Sequence, residues 1–359
     1  MSVAMAAFPL YGDRGASSRV RLSQFLPALR EAGIEVSASP FFTDAELASR
    51  QSGARTGPFT VASVYARRRA TVRHAQADVY WLEKEFFPWL PFAAERGLLT
   101  SARPLILDID DAVFHRYDQH RSAAVRALYG SKLDRLFARA TLVTAGNAYL
   151  AARARAAGAA QVEVVPSVVP VSKFLRQRPR SDATFRVVWI GQPSTQHYLE
   201  GITAVLDRMA TAPGTSLALI GAARAPATRL DCRLVPWRPD IEYSALAEYD
   251  VGLMPLADTP WERGKCGYKL LQYMAAGLPV VASDVGANRD IVRQGVDGFL
   301  VANETEWLDA LGRLRADPEL RARMGASARA RVAEAYSLEA WGPQLATRIL
   351  AVSGGAGVA

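Results

Sequence analysis

Asp108, Asp110 and Asp111 crowd into LILDIDDAVFHR, residues 105–116, where an apolar run that reads as a strand gives way to a loop. Alternation along a strand puts Asp108 and Asp110 on one side, which suits a shared cation or sugar hydroxyls. Clustered carboxylates repel one another and are costly to bury, which weighs against a purely structural role. Asp111 could also cap a following turn.

A second constellation opens GKCGYKLLQYMAAGLPVVAS, residues 264–283. Gly264 and Gly267 allow close approach of the backbone to a ligand, and Lys265 and Lys269 stand at helical spacing for one shared face. Two ammonium groups at a helix N-terminus oppose the helix dipole, and an anion between them would repair that. The alternative is a pair of solvated lysines at a helix start.

Two more glycine loops follow strands. In VVWIGQPSTQHYL, residues 187–199, a strand ends in Gly191, and Ser194 or Thr195 caps a helix whose N–H groups can receive an anion. In YGDRGASSRVR, residues 11–21, Gly12 and Gly15 permit close approach, Ser17 or Ser18 can start a helix, and Arg14, Arg19 and Arg21 add charge. A tight turn alone would look the same. The spacing is not Gly-x-Gly-x-x-Gly, and SASP ends the next strand without an acidic residue, which disfavours a hydride-transferring enzyme. Past the VVAS strand, Gly286 and Asn288 begin another short helix.

The elements that must hold these loops alternate between short Val/Ile/Leu runs and helical patterns, the signature of parallel sheets built from βαβ units. Strands are expected near residues 2–9, 34–39, 78–82, 104–109, 141–144 and 161–165, then at 185–191, 216–221, 232–235, 250–256 and 278–283. Residues 17–32 read as the clearest helix. The proline- and arginine-rich stretch 166–185 reads as a linker. Charged helices over 304–335 should split near Asp317-Pro318, and Ser337 can cap a last helix to about Leu350, before a frayed SGGAGVA tail. At 359 residues, two domains are the natural expectation.

Half the residues are hydrophobic and 22% are charged, a globular composition. Two cysteines, Cys232 and Cys266, do not make a disulfide framework, no apolar run is long enough to span a membrane, and MSVAMAAFPL lacks the basic start of a signal peptide. A cytoplasmic location is expected. The net charge of +8 favours anionic partners. Arg67 to Arg69, Arg73 and His74 form its densest run, either a solvated helix face or a patch for an anionic membrane surface; no nucleic-acid module accompanies it.

The run LLQYMAAGLPVVASDVGANRDIVRQGVDGFLV resembles the C-terminal signature of retaining glycosyltransferase family 4. GASSRVRLSQFLPALREAGIEV, LDIDDAVF and WIGQPSTQHYL extend the similarity over nearly the whole chain, and they resemble a bacterial subgroup associated with surface polysaccharides. The resemblance implies an α/β GT-B fold, two Rossmann-like doubly wound domains facing a central cleft. It implies a nucleotide-diphosphate sugar donor held mainly by the C-terminal domain and a glycan or lipid-linked acceptor on the N-terminal one. Anomeric configuration would be retained, with no protein nucleophile, no metal and no cofactor. The expected divisions are 1–170, 171–336 and a C-terminal helix and tail at 337–359 packing back towards the N-terminal domain.

On this resemblance Lys265, Lys269, Asp110 and Asp111 are the catalytic candidates. Gly191, Ser194, Thr195, Trp237, Gly267, Tyr268, Gln272, Gly286 and Asn288 would surround the donor, and Gly12, Gly15, Ser17 and Arg19 would form an acceptor or phosphate loop. Trp237, in LVPWRP, could pack near the donor base or lie in core or surface. The family's paired glutamates fall on Gly264 and Gln272, with Glu262 close by as a substitute. Its loop Arg and Lys are absent from GQPSTQHYL, a charge that Lys265 and Lys269 could supply. Its N-domain histidine is replaced by the aspartate cluster, with His115 a few residues on. Three alternatives stand beside this reading: a metal-dependent glycosyltransferase using Asp108 and Asp110 as an Asp-x-Asp motif, a catalytically silent GT-B module binding a glycan or partner enzyme, and a GT-B epimerase.

Overall fold

The computed structural model describes residues 2–51, 57–99, 103–177 and 184–354. Part of the expected linker, 178–183, and the end of the expected tail, 355–359, lie outside them.

Two parallel sheets carry the fold. The first contains β1 (Val3–Phe8), β2 (Ile34–Ala38), β3 (Val79–Glu83), β4 (Leu105–Ile109), β5 (Leu142–Ala145) and β6 (Val162–Val164), in the order β2-β1-β3-β4-β5-β6. The second contains β7 (Phe185–Ile190), β8 (Thr215–Ile220), β9 (Cys232–Val235), β10 (Val251–Met254), β11 (Val280–Ser283) and β12 (Gly298–Val301), in the order β12-β11-β10-β7-β8-β9. The order reverses between β1 and β3 in one sheet and between β7 and β10 in the other. Crevices at such switch points, outside the carboxyl ends of the strands, are where ligands bind in this class of sheet.

Central strands β3, β4, β5, β10 and β11 are buried along their whole length, as parallel strands covered on both faces must be. In the second sheet alternation is explicit. Val188 and Ile190 join one core cluster with Leu270, Leu271, Tyr273 and Met274 of the helix Tyr268–Ala275, while Val187 and Trp189 join the opposite one with Trp307, Leu311 and Leu314. Each large side chain so buried contributes about 1.5–3 kcal/mol.

Three expectations change. β12 has no counterpart among the strands read from sequence. The helix expected over residues 17–32 is three pieces, Ala16–Arg21, a 3-10 turn Ser23–Phe25 and Leu26–Glu31. Pro27 explains the break, since it has no N–H to donate to the carbonyl of Ser23. The basic run of the helix Pro58–His74 is not one solvated stripe. Arg67 pairs with Glu46, and Arg68 is buried, donating to the carbonyls of Ser39 and Pro9 with its guanidinium over Phe8 and Phe41. Arg69, Arg73 and His74 remain exposed, as does Phe59 at the other end. Among the described residues no helix is long and apolar enough to cross a membrane.

By contacts the chain divides into two compact units. One comprises Met1–Ser167, Gly264–Cys266 and Trp341–Ala359; the other comprises Val168–Arg263 and Gly267–Ala340. Helices Glu304–Ala316 and Pro318–Ala335 meet at Asp317, whose side chain caps the second, and the Ser337 hydroxyl accepts from the Ala340 N–H at the start of the last helix, Leu338–Gly354.

Candidate functional site

In the first unit the switch point gathers charge. Glu83, the last residue of β3, is fully buried and accepts from the Leu10 N–H, from Ser18 and from Ser17 (2.7 Å). The Ser17 hydroxyl also lies 2.6 Å from Asp110 Oδ2, and Lys84 Nζ donates to Ser17 Oγ at 2.8 Å and sits 2.9 Å from Asp110 Oδ1. A hydroxyl has one proton, so Ser17 donates to Glu83 or to Asp110 at any moment. Burial works against the Lys84 charge, but Asp110 and Glu83 outweigh it and hold the ammonium's pKa above the ordinary lysine value.

The three aspartates are sorted by what holds them. Asp108 is gripped by Arg21 through both oxygens, at 2.9 and 2.6 Å, and by the Thr144 hydroxyl at 2.7 Å. Asp110 is buried, yet Lys84, Arg21 and the Ser17 hydroxyl outweigh that burial and keep its pKa below the ordinary aspartate value. Asp111 is a third exposed and meets Lys265 at only 3.4 Å. Partial burial raises its pKa, with Lys265 pulling the other way and the Asp110 charge adding to the rise. Arg21 and Lys84 occupy the positions a cation would take, so Asp108 and Asp110 do not fit as an Asp-x-Asp metal pair. Among the described residues no group of three or more His, Cys, Asp or Glu is arranged to hold a metal ion.

Gly264 packs against Ala112 so closely that a Cβ would sit 2.5 Å from that residue's Cβ and 2.7 Å from its N. No carboxylate fits there. Asn147 holds the Lys265 carbonyl at 3.0 Å, and the half-buried Cys266 thiol donates to the Asp110 carbonyl. His115 is bound at both ring nitrogens, by Asp118 and Tyr149, each at 2.8 Å. At the first glycine loop, a Cβ on Gly12 would strike the Asp44 carboxyl and one on Gly15 the Tyr11 ring. The helix begins at Ala16 rather than at a serine cap, and Arg19 donates to the Asp13 carbonyl.

The loop after β3 went unread in the sequence. Lys84 and Trp89 have φ of +64° and +61°, the left-handed region that costs a side-chain-bearing residue about 1–2 kcal/mol. A buried lysine holds them there. Lys132 meets Glu95 at 2.7 Å and Glu85 at 2.6 Å, and donates to the Phe87 carbonyl. Glu95 accepts from the N–H groups of Phe86 and Phe87, and Tyr117 donates to Glu85 while accepting from the Trp89 N–H. EKEFFPW, directly after an apolar run, was the available signal.

In the second unit the switch point is sparer. Pairing between β7 and β10 stops at Val188 and Gly252. Beyond it the Tyr273 hydroxyl bridges the strands, accepting from the Ile190 N–H at 2.8 Å and donating to the Leu253 carbonyl at 3.1 Å. Gly252 leaves space for the Tyr273 ring, which a Cβ would approach to 2.3 Å. Lys269 Nζ lies 4.2 Å from the Trp189 ring centroid and 3.3 Å from Thr195 Oγ1, beside Gly191. Thr195 stands near the start of the 3-10 helix Pro193–Ile202, its Oγ1 accepting from the Gln192 N–H, and Ser194 is exposed next to it.

Lys265 lies outside the helix, which starts at Tyr268 after the left-handed Gly267 (φ 65°), so the expected shared face of Lys265 and Lys269 does not form. Gln272 and Tyr268 both donate to Glu242 Oε1, at 3.3 and 3.4 Å, a buried carboxylate that sequence reading missed. Glu262 is buried between the hydroxyls of Tyr198 and Thr259. Trp237 is partly buried against the core. Gly286 (φ 53°) passes close to the Arg263 backbone, and Asn288 ties its amide to the Ser283 carbonyl. A cavity of 580 Å³ opens at the opposite ends of these strands, beside Thr184, Asp250 and Gly277, and touches none of the candidate residues.

Residues 184–317 match the family described as Glycosyl transferases group 1. Over 170 residues the chain is 29% identical to the alpha-D-kanosaminyltransferase of Streptomyces kanamyceticus, covering 40% of this chain and 44% of that protein. Over 89 residues it is 38% identical to the D-inositol 3-phosphate glycosyltransferase of Nocardia farcinica, covering 21% and 20%. These matches span less than half the length of either relative. In fold the chain is similar to Anabaena HepE, solved with UDP-glucose (TM-score 0.69, 17% identity, 97% of this chain and 99% of that one). It is also similar to sucrose-phosphate synthase from Thermosynechococcus elongatus (TM-score 0.73, 17% identity, 98% and 100%). The fold is GT-B, and the family match falls on its second sheet, at residues 184–317.

Proposed function

We propose that this chain, carrying a glycosyl transferases group 1 domain on a GT-B fold, is a retaining glycosyltransferase that moves a sugar from a nucleotide-diphosphate sugar to a glycan or lipid-linked acceptor. The observation that carries the reading is the β7–β10 switch point, where Gly191, the helix start at Ser194 and Thr195, and the Lys269 ammonium converge. Backbone N–H groups at a helix start together with a cation suit a diphosphate. Negative charge grows on that diphosphate as the glycosidic bond breaks, and a fixed ammonium stabilises it most in the transition state. HepE, solved with UDP-glucose, supports a sugar nucleotide as the ligand.

In the first unit Asp111 is the carboxylate that can accept a hydrogen bond from an acceptor hydroxyl, with Lys265 favouring its charged form and Asp110 held by Lys84 and Ser17. The reaction would run without a metal or other cofactor, the acceptor proton passing to a phosphate oxygen of the donor. Placement in the cytoplasm, at the inner face of the cell membrane in polysaccharide assembly, is part of the proposal; exposed Phe59, Arg69 and Arg73 suit such a surface.

One observation favours the non-catalytic alternative, a silent GT-B module binding a glycan or partner enzyme: Ala112 leaves no room for a carboxylate at position 264. A thermal-shift screen with nucleoside diphosphates and their sugars, followed by NMR of the product anomer, separates the two. Stabilisation by a sugar nucleotide with transfer and retained configuration is expected. Inversion sinks the retaining assignment, and binding with neither transfer nor hydrolysis leaves the module.

A further inference from the structure

We infer that Trp189 is a positioning residue for the donor diphosphate, its indole holding the Lys269 ammonium at the carboxyl end of β7. The inference rests on the donor reading above and adds the device that keeps the cation in place.

Lys269 and Trp189 start on opposite sides of the sheet. The helix Tyr268–Ala275 packs on the face shared by Val188 and Ile190, whereas Trp189 points into the cluster on the other face with Val187. The lysine therefore reaches over the end of β7 to lie on the indole, 4.2 Å from the ring centroid. Gly191 keeps that pass open. A Cβ there would stand 2.4 and 2.5 Å from two carbons of the indole and 2.8 Å from Nζ.

The helix is registered on the strand by Tyr273. It stands four residues after Lys269, and hence on the same helix face. Its hydroxyl accepts from the N–H of Ile190, the residue after Trp189, and donates to the Leu253 carbonyl across the switch point. With the backbone located and the ammonium fixed between the indole and Thr195 Oγ1 at 3.3 Å, the flexible lysine chain is ordered before any ligand arrives. An aromatic face attracts an ammonium through its quadrupole and brings no counter-charge. Unlike the carboxylate contacts of Lys84 and Lys265, the indole contact itself adds no negative charge that would compete with phosphate.

Calorimetric titration of the full chain with UDP, GDP and ADP identifies the diphosphate that binds. Wild type, Trp189→Leu, Trp189→Phe and Lys269→Met are then compared with that diphosphate and with its bare nucleoside. Trp189→Leu should weaken the diphosphate about five- to tenfold and leave the nucleoside unchanged, and Trp189→Phe should recover most of the loss. In a Lys269→Met background Trp189→Leu should add nothing. Because Trp189 lies in the core, global replacement by fluorinated tryptophans supplies a second readout with little change in volume. Diphosphate affinity should fall with each added fluorine while nucleoside affinity holds.

Equal weakening of nucleoside and diphosphate, an unaltered diphosphate affinity, or a Trp189 effect that persists without Lys269 overturns the inference while the donor reading stands. Failure of the wild type to bind any of the three diphosphates overturns the donor reading itself.

Discussion

At the end of β3, Lys84 faces Asp110 and Glu83, with Arg21 on Asp108 and Lys265 on Asp111 close behind; at the end of β7, Lys269 lies over Trp189 beside a hydroxyl. Both places are switch points of parallel sheets, and both present lysine. In the first unit the cations neutralise carboxylates that the strand order has buried, so they hold the fold together. In the second an indole and a hydroxyl hold the cation beside Gly191, where the proposed donor diphosphate would lie. Lysine at a strand end thus means different things in the two sheets, and substitution should separate stability from activity.

Lys84→Met should show the largest effect. It leaves Asp110 and Glu83 buried without their ammonium, and urea unfolding should report a loss of about 3–5 kcal/mol. A loss below about 1 kcal/mol would erase the contrast. Lys269→Met should leave the urea midpoint almost unmoved while turnover falls by about 10²-fold or more, as loss of a group stabilising transition-state charge does. A midpoint shift as large as that of Lys84→Met would make the two sites equivalent.

Gly264→Ala tests the crowding at Ala112 and should cost about 1–3 kcal/mol in the same unfolding assay. Gly264→Glu, which introduces the glutamate that the resemblance implies at this position, should cost more and give no gain in rate over wild type. A stable, faster variant at that position would mean that the Ala112 contact yields easily.

A smaller effect sharpens the roles of the aspartates. Asp111 has a raised pKa, so as pH falls it loses its charge before Asp110, whose pKa is depressed. Rate should therefore decline on the acid side with the titration of Asp111. Lys265→Met removes a group that lowers this pKa, and the acid limb should move to higher pH. An unmoved limb would separate Lys265 from Asp111. Smallest of all is the response to a chelator, which should leave the rate unchanged; a collapse of rate would reopen metal chemistry.

How much of this was legible depended on how local the cause was. Strand positions came from runs of apolar residues, because a strand buried on both faces needs little else to declare itself. β12 was missed because Gly298–Val301 sits in a glycine-punctuated stretch and the helix before it, Asn288–Ile291, is too short to show a period. The break in the helix over 17–32 was readable from Pro27 and was passed over. Gly191, Thr195 and Lys269, which the structure brings together, could be singled out because each stands in a short motif beside its own strand end.

Glu83 and Lys84 were not found, and Arg21 was read only as charge beside the first glycine loop. Their partners come from loops that only the order β2-β1-β3-β4 brings together, and spacing along the chain carries no trace of that order. The shared face of Lys265 and Lys269 failed for a related reason. Helical spacing was counted through Gly267, whose left-handed backbone ends the helix there.

The loop from Lys84 to Trp89 has a consequence in time as well as in space. The amides of Phe86 and Phe87 donate to Glu95, that of Trp89 donates to Tyr117, and both acceptors are tied through carboxylates to the single ammonium of Lys132. Freeing one of these amides to solvent disturbs the group that retains the others. In hydrogen exchange the three should open as one cooperative unit, with a common opening free energy, rather than fray from either end as surface loops do.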